Sequence, residues 1–233
     1  MTPIIIAVDG YSSSGKSSMA KRLAREIGYR YVDSGAMYRA VTLWAMRNDL
    51  VRPDGSIKED TLIASLPKIQ IDFKVDSRGQ STILNGEDVE HEIRTLEVSS
   101  HVSPVAAIPA VRHALVLKQQ EFGNKKGIVM DGRDIGTTVF PDAEMKVFVT
   151  ASPETRAERR YKELTDKGID STFDEVLSNV IERDRIDETR TESPLRRADD
   201  AILLDNSDMT VEEQSQWLKD LYNQIISRHE NSK

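Results

Sequence analysis

The chain has 233 residues, of which 38% are hydrophobic and 30% charged, enough apolar material for one sizeable core and too much for a disordered chain. Its formal net charge of -7 argues against broad binding to nucleic acids or anionic membranes, because no excess of basic residues is present to hold a polyanion. The absence of cysteine excludes disulfide bonds, thiolate metal sites and a cysteine nucleophile.

The first sixty residues or so alternate between strand and helix patterns. Residues 4–8 are a continuous apolar run typical of a strand buried on both faces of a parallel sheet. Apolar residues at helical spacing then run from Lys16 to Ile27, and Gly28 predicts the end of that helix. A second strand at residues 29–32 precedes a second amphipathic helix. This order predicts an α/β fold with a mainly parallel sheet.

Residues 61–93 have a different pattern. Apolar and polar residues alternate from Ile69 to Val75, and after Ser77-Arg78-Gly79 a second apolar run leads into Asn85-Gly86, a hairpin-turn dipeptide. This pattern predicts a small antiparallel β insert.

The α/β pattern returns after the insert, so segments 1–60 and 94–233 are predicted to form one core. The further elements predicted for this core are a helix near residues 104–120 and strands at 128–130, 145–149 and 201–204.

Capping residues mark three helix starts, and they are Ser152 before Pro153, Thr172 with Glu175, and Thr210 with Glu213. The first of these helices is rich in arginine, and Gly168 predicts its end. The other two are predicted to bury one face each. These faces are Val176, Leu177, Val180 and Ile181 in the earlier helix, and Val211, Leu218, Leu221 and Ile225 in the later one.

Residues 10–17 (GYSSSGKS) match the phosphate-binding pattern G-x-x-x-x-G-K-[ST] between a predicted strand and a predicted helix. The glycines let backbone N–H groups converge on a phosphate, while Lys16 reaches the β and γ oxygens and the Ser17 hydroxyl can bind Mg²⁺. The alternative is a flexible Ser/Gly turn, which the flanking pattern disfavours. The residues predicted to bind ATP are Gly10, Tyr11, Ser12, Ser13, Ser14, Gly15, Lys16, Ser17 and Ser18.

Two carboxylates follow predicted strands and are candidates to orient water on the metal ion. Asp131 ends the strand at 128–130, and Asp33 follows the strand at 29–32. Either side chain could equally cap a helix or pair with a cation. The sequence leaves the choice between them open.

Arginine residues are concentrated in a few segments of this acidic chain. A nucleotide kinase must neutralise a triphosphate and an attacking phosphate, and arginine suits both tasks. Arg183, Asp187 and Arg190 recur at helical spacing and share one face if their helix persists. The alternative is a solvated helix with weak ion pairs. A phosphate acceptor, whose second pKa is about 6, would need no general base.

Three further segments, with the phosphate loop in register before them, resemble the bacterial cytidylate kinase family: residues 33–39 (DSGAMYR), 131–137 (DGRDIGT) and 182–187 (ERDRID). The resemblance extends over nearly the whole chain. It implies a P-loop nucleoside monophosphate kinase fold, a CMP-binding role for residues 61–93 and a mobile helical lid at about 153–170. It also implies transfer of the γ-phosphoryl group of ATP to CMP or dCMP.

The resemblance further implies roles for individual residues. Ser34, Arg39 and Arg133 would lie at the acceptor nucleotide, Ser103, Arg112 and Asp134 at the cytosine, and Arg183 and Asp187 at the sugar. The residues implied to be catalytic are Lys16, Arg133, Arg156, Arg160 and Arg190, the last at the phosphates. Arg156 and Arg160 match the lid, and we expect them to enter only after both substrates bind.

Asp134 gives the base assignment a physical reason. A carboxylate accepts a hydrogen bond from the cytosine amino group but would face the uracil O4, another acceptor, so we expect CMP and dCMP to be preferred over UMP. Two positions depart from the family pattern, since Tyr11 stands where proline is common and Ser18 where threonine is usual. Neither change removes a backbone donor or the lysine, so the chemistry is unaffected.

Two other classes of function remain open. A P-loop kinase for another nucleotide or a shikimate-like acceptor is disfavoured by Ser103, Arg112 and Asp134. The second alternative is a nucleotide-dependent switch that binds ATP without transferring phosphate. It would need no second set of arginines for an acceptor, so the arginine clusters disfavour it.

The expected location is the cytoplasm. The opening apolar run breaks at Asp9 and has no basic leader, so we expect no signal peptide, and no apolar stretch is long enough to cross a membrane. We also expect a monomer, because no heptad seam is present, with small-molecule substrates and no nucleic-acid or membrane partner.

Overall fold

The structure, a computed structural model, describes residues 3–76 and 79–231 and divides into two compact units. The first unit comprises Met1–Val32, Gln120–Thr189 and Ser193–Lys233, and the second comprises Asp33–Gln119 and Arg190–Glu192. The predicted insert at 61–93 falls within the second unit. Its residues Ser77 and Arg78 lie outside the described residues.

The order of strands and helices follows the predicted alternation. The strands are β1 (Ile5–Gly10), β2 (Arg30–Asp33), β3 (Ile71–Asp76), β4 (Gly79–Leu84), β5 (Glu87–Asp88), β6 (Ile128–Gly132), β7 (Met145–Thr150) and β8 (Ile202–Asp205). The α-helices are α1 (Lys16–Ile27), α2 (Ser34–Arg47), α3 (Glu59–Ser65), α4 (Leu96–Ala107), α5 (Pro109–Gly123), α6 (Pro153–Asp166), α7 (Phe173–Thr189) and α8 (Val211–Asn231). Short 3₁₀ segments cover Leu66–Lys68 and Glu92–Arg94, and a π-helical turn covers Ile135–Val139. Within the described ranges, no helix combines the length and the apolar character that a membrane span requires.

The first unit is built on a five-stranded sheet in the order β2-β6-β1-β7-β8. Strand β1 pairs in parallel with β6 and β7, and Val8 lies opposite both Asp131 and Val147. Val8 is completely buried, as expected for a central strand that is covered on both faces. Leu23 of α1 and Leu218 of α8 belong to the same apolar core. This arrangement brings the carboxyl ends of β1, β6 and β7 to one edge of the sheet.

Most of the predicted helix boundaries are confirmed. Gly28 ends α1 in the left-handed conformation, with φ of 72°. At the start of α6, Ser152 Oγ accepts a hydrogen bond from the backbone N–H of Thr155 at 3.1 Å. Both capping boxes form, because Glu175 and Glu213 each accept from the backbone N–H of the threonine three residues earlier at 2.8 Å.

The prediction of one continuous helix near residues 104–120 is wrong. Helix α4 ends at Ala107 and α5 begins at Pro109, with Ile108 between them at φ -69° and ψ 118°. A proline disfavours the helical conformation of the residue before it, so Pro109 separates the two helices at Ile108. Pro104, by contrast, lies inside α4.

Two of the predicted buried positions are exposed. Ile181 is 50% exposed because it lies about 100° around α7 from Val180, which is buried. Val211 is 58% exposed because it is the first residue of α8, well before the turn at which Leu218 packs on the sheet. The other positions predicted for these two faces are buried or partly buried.

The second unit contains a three-stranded antiparallel sheet in the order β3-β4-β5. Leu84 of β4 lies opposite Ile71 of β3 and Glu87 of β5. Asn85 and Gly86 have φ of 49° and 89°, and two positive values suit a tight hairpin turn. Strand β5 was not predicted, since its two acidic residues carry no alternating pattern. The predicted fold class, a parallel sheet flanked by helices with a small antiparallel insert, is confirmed.

Candidate active site

The predicted phosphate loop connects β1 to α1 by a tight backbone path. Gly10 has φ of 144°, and a Cβ atom at this position would lie 2.0 Å from the carbonyl oxygen of Val149. Gly15 lies in the left-handed region at φ 84°, directly before α1 begins at Lys16. Gly15, at the cap position of α1, has no side chain that could bind the N–H groups of this helix start. The loop therefore presents backbone donors and a positive dipole end to an anion.

The side chain of Lys16 is held within the loop. Its Nζ donates a hydrogen bond to the carbonyl oxygen of Tyr11 at 2.9 Å, and Ser14 Oγ donates to the same oxygen at 3.0 Å. Lys16 is only 6% exposed. The ammonium group thus lies over the loop, where a bound triphosphate would need it. Ser18, also predicted to contact ATP, is an exposed residue of α1.

Asp131 and Ser17 are brought together at the carboxyl edge of the sheet. Ser17 Oγ donates a hydrogen bond to Asp131 Oδ2 at 2.6 Å, and the Tyr31 hydroxyl donates to Asp131 Oδ1 at 2.7 Å. Asp131 is 2% exposed at the end of β6. Carboxylate and hydroxyl oxygens are the hard ligands that Mg²⁺ prefers, so this pair fits the predicted metal.

Asp33, the rival carboxylate, has structural partners in the second unit. Its Oδ1 accepts from the backbone N–H of Ala36 at 2.9 Å, which caps α2, and its Oδ2 accepts from Arg94 at 2.8 Å. Burial by itself would raise the pKa of Asp33, but Arg94, the Ala36 N–H and Arg39 together hold the pKa below its ordinary value. Both carboxylate oxygens of Asp33 therefore serve the cap and the ion pair.

No group of three or more His, Asp or Glu side chains in residues 3–76 and 79–231 is arranged to hold a metal ion. A divalent ion at Ser17 and Asp131 would complete its shell with water and with phosphate oxygens of the nucleotide. That is the usual behaviour of Mg²⁺ in sites that bind phosphate substrates.

Asp9, which the sequence did not single out, links β1 to the segment after Asp134. The Asp9 carboxylate accepts from the backbone N–H groups of Ile135 and Gly136, each at 2.7 Å. Burial raises the pKa of Asp9 to about 7, even though both backbone donors favour the charged form. Asp134 itself is 2% exposed. For Asp9, the sequence signal was only that an acidic residue follows an apolar run.

Arg133, directly after β6, lies close to Arg183 and Asp187 of α7 in the first unit. Arg133 Nε donates to Asp187 Oδ2 at 2.9 Å. Burial, and then the nearby charge of Arg133, lower the pKa of Arg183 to about 10. Helix α7 ends at Thr189, so Arg190 lies one residue beyond it. The predicted common helix face therefore holds for Arg183 and Asp187 but does not extend to Arg190.

The two predicted lid arginines differ in their surroundings. Arg156 is 2% exposed, and its two terminal nitrogens donate to the two carboxylate oxygens of Asp184 at 3.0 and 2.6 Å. Its Nη1 also lies 3.4 Å from the carbonyl oxygen of Ser12 in the phosphate loop. Arg160 donates instead to Glu163, one turn along α6, at 2.8 Å. The described hydrogen bonds thus bring Arg156 against the loop.

A buried amide network supports the other side of the loop and was also missed. Asn206 Nδ2 donates to the carbonyl oxygen of Ser14 at 2.7 Å and to Gln214 Oε1 at 2.9 Å. Arg159 of α6 donates to Asn206 Oδ1 at 3.0 Å. Asn206 is completely buried. Asn206 follows β8 and belongs to no sequence motif, so the sequence carried no signal for this role.

Two predicted acceptor arginines of the second unit contact α4. Arg39 of α2 donates to Ser99 Oγ at 2.8 Å and to the carbonyl oxygen of Ile93 at 3.0 Å. Arg112 of α5 is 1% exposed and donates to the carbonyl oxygen of Ala106 at 3.1 Å. The two serines predicted to bind CMP, Ser34 at the start of α2 and Ser103 within α4, are each 3% exposed. These four predicted residues are therefore buried or partly buried.

The solved structures similar to this chain are distant. A shikimate kinase from Bacteroides thetaiotaomicron is matched over 94% of this chain and 98% of its own, at 13% identity. Its TM-score of 0.44 is too low to support a structural argument.

Curated relatives match much more closely. A cytidylate kinase from Parabacteroides distasonis is 59% identical over 228 residues, which cover 97% of this chain and 99% of the relative. A cytidylate kinase from Phocaeicola vulgatus is 58% identical over 229 residues, which cover 97% of this chain and 100% of the relative. The family model described as cytidylate kinase matches residues 6–224. The chain therefore belongs to the cytidylate kinase family.

Proposed function

We propose that this chain transfers the γ-phosphoryl group of ATP to CMP or dCMP, giving ADP and CDP or dCDP, and so serves pyrimidine nucleotide metabolism. The observation that carries the proposal is the 2.6 Å hydrogen bond from Ser17, in the phosphate loop, to Asp131 at the end of β6. This bond joins the proposed phosphate-binding loop to the carboxylate proposed to bind the metal ion, and phosphoryl transfer requires the two together. Membership of the family supports the choice of acceptor.

The phosphate loop is proposed to hold the ATP triphosphate. Its backbone N–H groups would bind phosphate oxygens, and Lys16 would balance charge on the β and γ groups. Mg²⁺, when bound by Ser17 and through water by Asp131, supplies positive charge that offsets the charge developing on the phosphate oxygens. Asp131 is proposed over Asp33 because its Oδ2 faces Ser17 of the loop, whereas Asp33 caps α2 and pairs with Arg94 in the second unit.

Several segments are proposed to bind CMP. The proposed contacts are Ser34, Arg39 and Arg133 at the nucleotide, Ser103, Arg112 and Asp134 at the cytosine, and Arg183 and Asp187 at the sugar, with Arg190 at the phosphates. Buried arginines and carboxylates suit this task, because desolvated charged groups bind polar ligands strongly and selectively. The acceptor phosphate is itself ionised near neutral pH, so the chain need supply no base.

Asp134 is proposed to set the preference for cytosine over uracil. Because Asp134 is buried, a uracil O4 placed against its carboxylate would have little water to replace the missing hydrogen bond. We therefore expect CMP and dCMP to be better substrates than UMP, and equal turnover of UMP would contradict this assignment.

Arg156 and Arg160 are proposed to stabilise the transferring phosphoryl group. Arg156 already lies beside the loop and is paired with Asp184, while Arg160 contacts Glu163. Their movement on substrate binding stays a prediction. Substituting either arginine should lower kcat more than it lowers ATP affinity, since the interaction strengthens in the transition state. The reverse pattern would indicate a role in ground-state binding.

The decisive experiment is a coupled ADP-release assay with Mg·ATP and separate acceptors: CMP, dCMP, UMP, AMP, GMP or none. We expect strong turnover with CMP and dCMP only. Turnover confined to another acceptor would preserve the roles of the loop and discard the cytosine contacts. No turnover with any acceptor would favour a nucleotide-dependent switch. The cytoplasmic location, the monomeric state and the lack of nucleic-acid partners stay predictions.

A further inference from the structure

Tyr11 makes three side-chain contacts outside its own loop. Its hydroxyl donates a hydrogen bond to Glu188 Oε1 of α7 at 2.6 Å. Its ring meets Phe148 of β7 edge to face, with ring centroids 5.8 Å apart. The guanidinium carbon of Arg156 lies 4.9 Å from the centroid of the Tyr11 ring. The phosphate-loop pattern allows any residue at this position, so these contacts are a property of this side chain.

Arg156, a residue of α6, has further partners just before its own helix and on α7. Its Nε donates to the carbonyl oxygen of Ala151 at 2.9 Å, and its terminal nitrogens form the paired hydrogen bonds to Asp184. Asp184 and Glu188 are four residues apart and so lie on the same side of α7. Arg156 and Tyr11 are therefore anchored to consecutive turns of one helix.

The electrostatics of this cluster favour the observed arrangement. A guanidinium is attracted to the negative face of an aromatic ring, and the attraction is stronger where water is excluded. Arg156 is 2% exposed, so its contact with the Tyr11 ring is desolvated. Burial, and then the hydrogen bond with Glu188, raise the pKa of Tyr11 to about 12. The hydroxyl thus remains protonated and available as a donor near neutral pH.

We propose that Tyr11 is a positioning residue that holds the guanidinium of Arg156 beside the phosphate loop, with its own ring fixed by Phe148 and Glu188. The inference rests on the proposed role of Arg156 in phosphoryl transfer. It adds a side-chain function to a loop whose other proposed contacts are largely backbone groups. Tyr11 would then influence the rate of transfer without contacting the transferring group.

A purely structural role for Tyr11 makes a different prediction. A ring that only shapes the loop would, when removed, weaken ATP binding and thermal stability. A ring that positions Arg156 would, when removed, lower kcat while the KM for ATP changes little. The separation of kcat from KM therefore distinguishes the two roles.

The test compares Tyr11→Leu, which removes the ring, with Tyr11→Phe, which removes only the hydroxyl. We expect Tyr11→Leu to lower kcat on the order of tenfold and Tyr11→Phe about twofold, both with the KM for ATP within about twofold of the parent. Phe122→Leu is the matched control, because the Phe122 ring contacts Arg30 at 4.5 Å in the same unit. We expect this control to leave kcat unchanged. A tenfold rise in ATP KM at constant kcat for Tyr11→Leu would overturn the proposal.

Arg156→Ala, alone and combined with Tyr11→Leu, separates this inference from the role on which it rests. If Tyr11 acts through Arg156, the double variant should be no slower than Arg156→Ala alone. A double variant slower by the product of the two single effects would overturn the proposal. A slow Arg156→Ala with a normal Tyr11→Leu would reject Tyr11 and keep Arg156. A normal Arg156→Ala would reject the proposed role of Arg156 and, with it, the inference.

Glu188→Ala provides a second test that leaves the loop sequence intact. Glu188 is exposed, so its replacement should not prevent folding even if Tyr11→Leu does. We expect Glu188→Ala to match Tyr11→Phe in kcat, and the combination to be no slower than either variant, because both remove the same hydrogen bond. Independent, multiplying losses would contradict the assignment of Glu188 as the anchor of the ring.

Discussion

The phosphate loop and the arginine–carboxylate pairs at α6 and α7 would attract anions in different ways. The loop uses backbone N–H groups at the start of α1, which carry only partial charge and are directed by the chain path. The arginines carry full charges, and Arg133 and Arg156 are each paired with a carboxylate, Asp187 and Asp184. If both bind substrate as proposed, the loop of dipoles needs no rearrangement, whereas a paired arginine would have to exchange or share its carboxylate partner.

The largest expected effect comes from the one full charge within the loop. Lys16→Met should lower kcat by about a thousandfold with the fold retained, because it removes the cation held over the backbone donors. Steady-state ADP release and a thermal melt would measure both properties. Lys162→Met, at an exposed lysine of α6, is the control and should be neutral. Nearly normal activity of Lys16→Met would contradict this contrast between dipoles and full charges, since the backbone N–H groups alone would then suffice for activity.

Asp131→Asn should have the next largest effect. It keeps the side-chain shape but removes the charge that faces Ser17, so we expect kcat to fall about a hundredfold and the Mg²⁺ concentration for half-maximal rate to rise. A Mg²⁺ titration of the rate checks this. The matched variant Asp33→Asn should instead lower the melting temperature, because Asp33 caps α2 and pairs with Arg94. A raised Mg²⁺ requirement in Asp33→Asn alone would reverse the metal assignment.

Breaking an arginine pair should have a smaller effect. Asp187→Asn weakens the hold on Arg133, and we expect the KM for CMP to rise about fivefold with little change in the KM for ATP. Initial rates at varied CMP and at varied ATP would test this. Glu182→Gln, which disrupts the exposed pair with Arg185 on the same helix, is the control and should change neither. An equal effect on ATP would mean that the pair serves the donor nucleotide.

The last expected effect is a pH dependence of stability from Asp9, which is measured as stability and not as a rate. The pKa of Asp9 is about 7 in the folded chain against an ordinary 3.8, so the folded state holds this proton more tightly. Its contribution to stability is full below about pH 4 and is lost as pH rises through about 7, and it amounts to at most about 4 kcal/mol. The melting temperature of the parent should therefore fall, relative to that of Asp9→Asn, from pH 5 to pH 8. A constant difference would contradict the shifted pKa.

Local spacing explains which features were predictable from the sequence. The loop from Gly10 to Ser17 and the capping boxes depend on residues a few positions apart, so their patterns survive in the sequence. Asp9 and Asn206 were missed because their partners lie 126 and 192 residues away. The break between α4 and α5 was missed because Pro104 and Pro109 both carry the same helix-breaking signal. Only Pro109 separates two helices, whereas Pro104 lies inside α4. The acceptor roles came from family resemblance, since no spacing rule assigns buried arginines to a ligand.

Strand β1 has a consequence for how the chain acquires activity during synthesis. It is the first strand along the chain, yet Ile6 lies opposite Val129 on one side and Met145 on the other. The nascent β1 thus leaves the ribosome before either of its hydrogen-bonding neighbours exists. Pairings so distant along the chain form slowly compared with a local hairpin such as β3–β4. The proposed phosphate loop is therefore made before both neighbours of β1, and it can reach its final conformation only after they have been made.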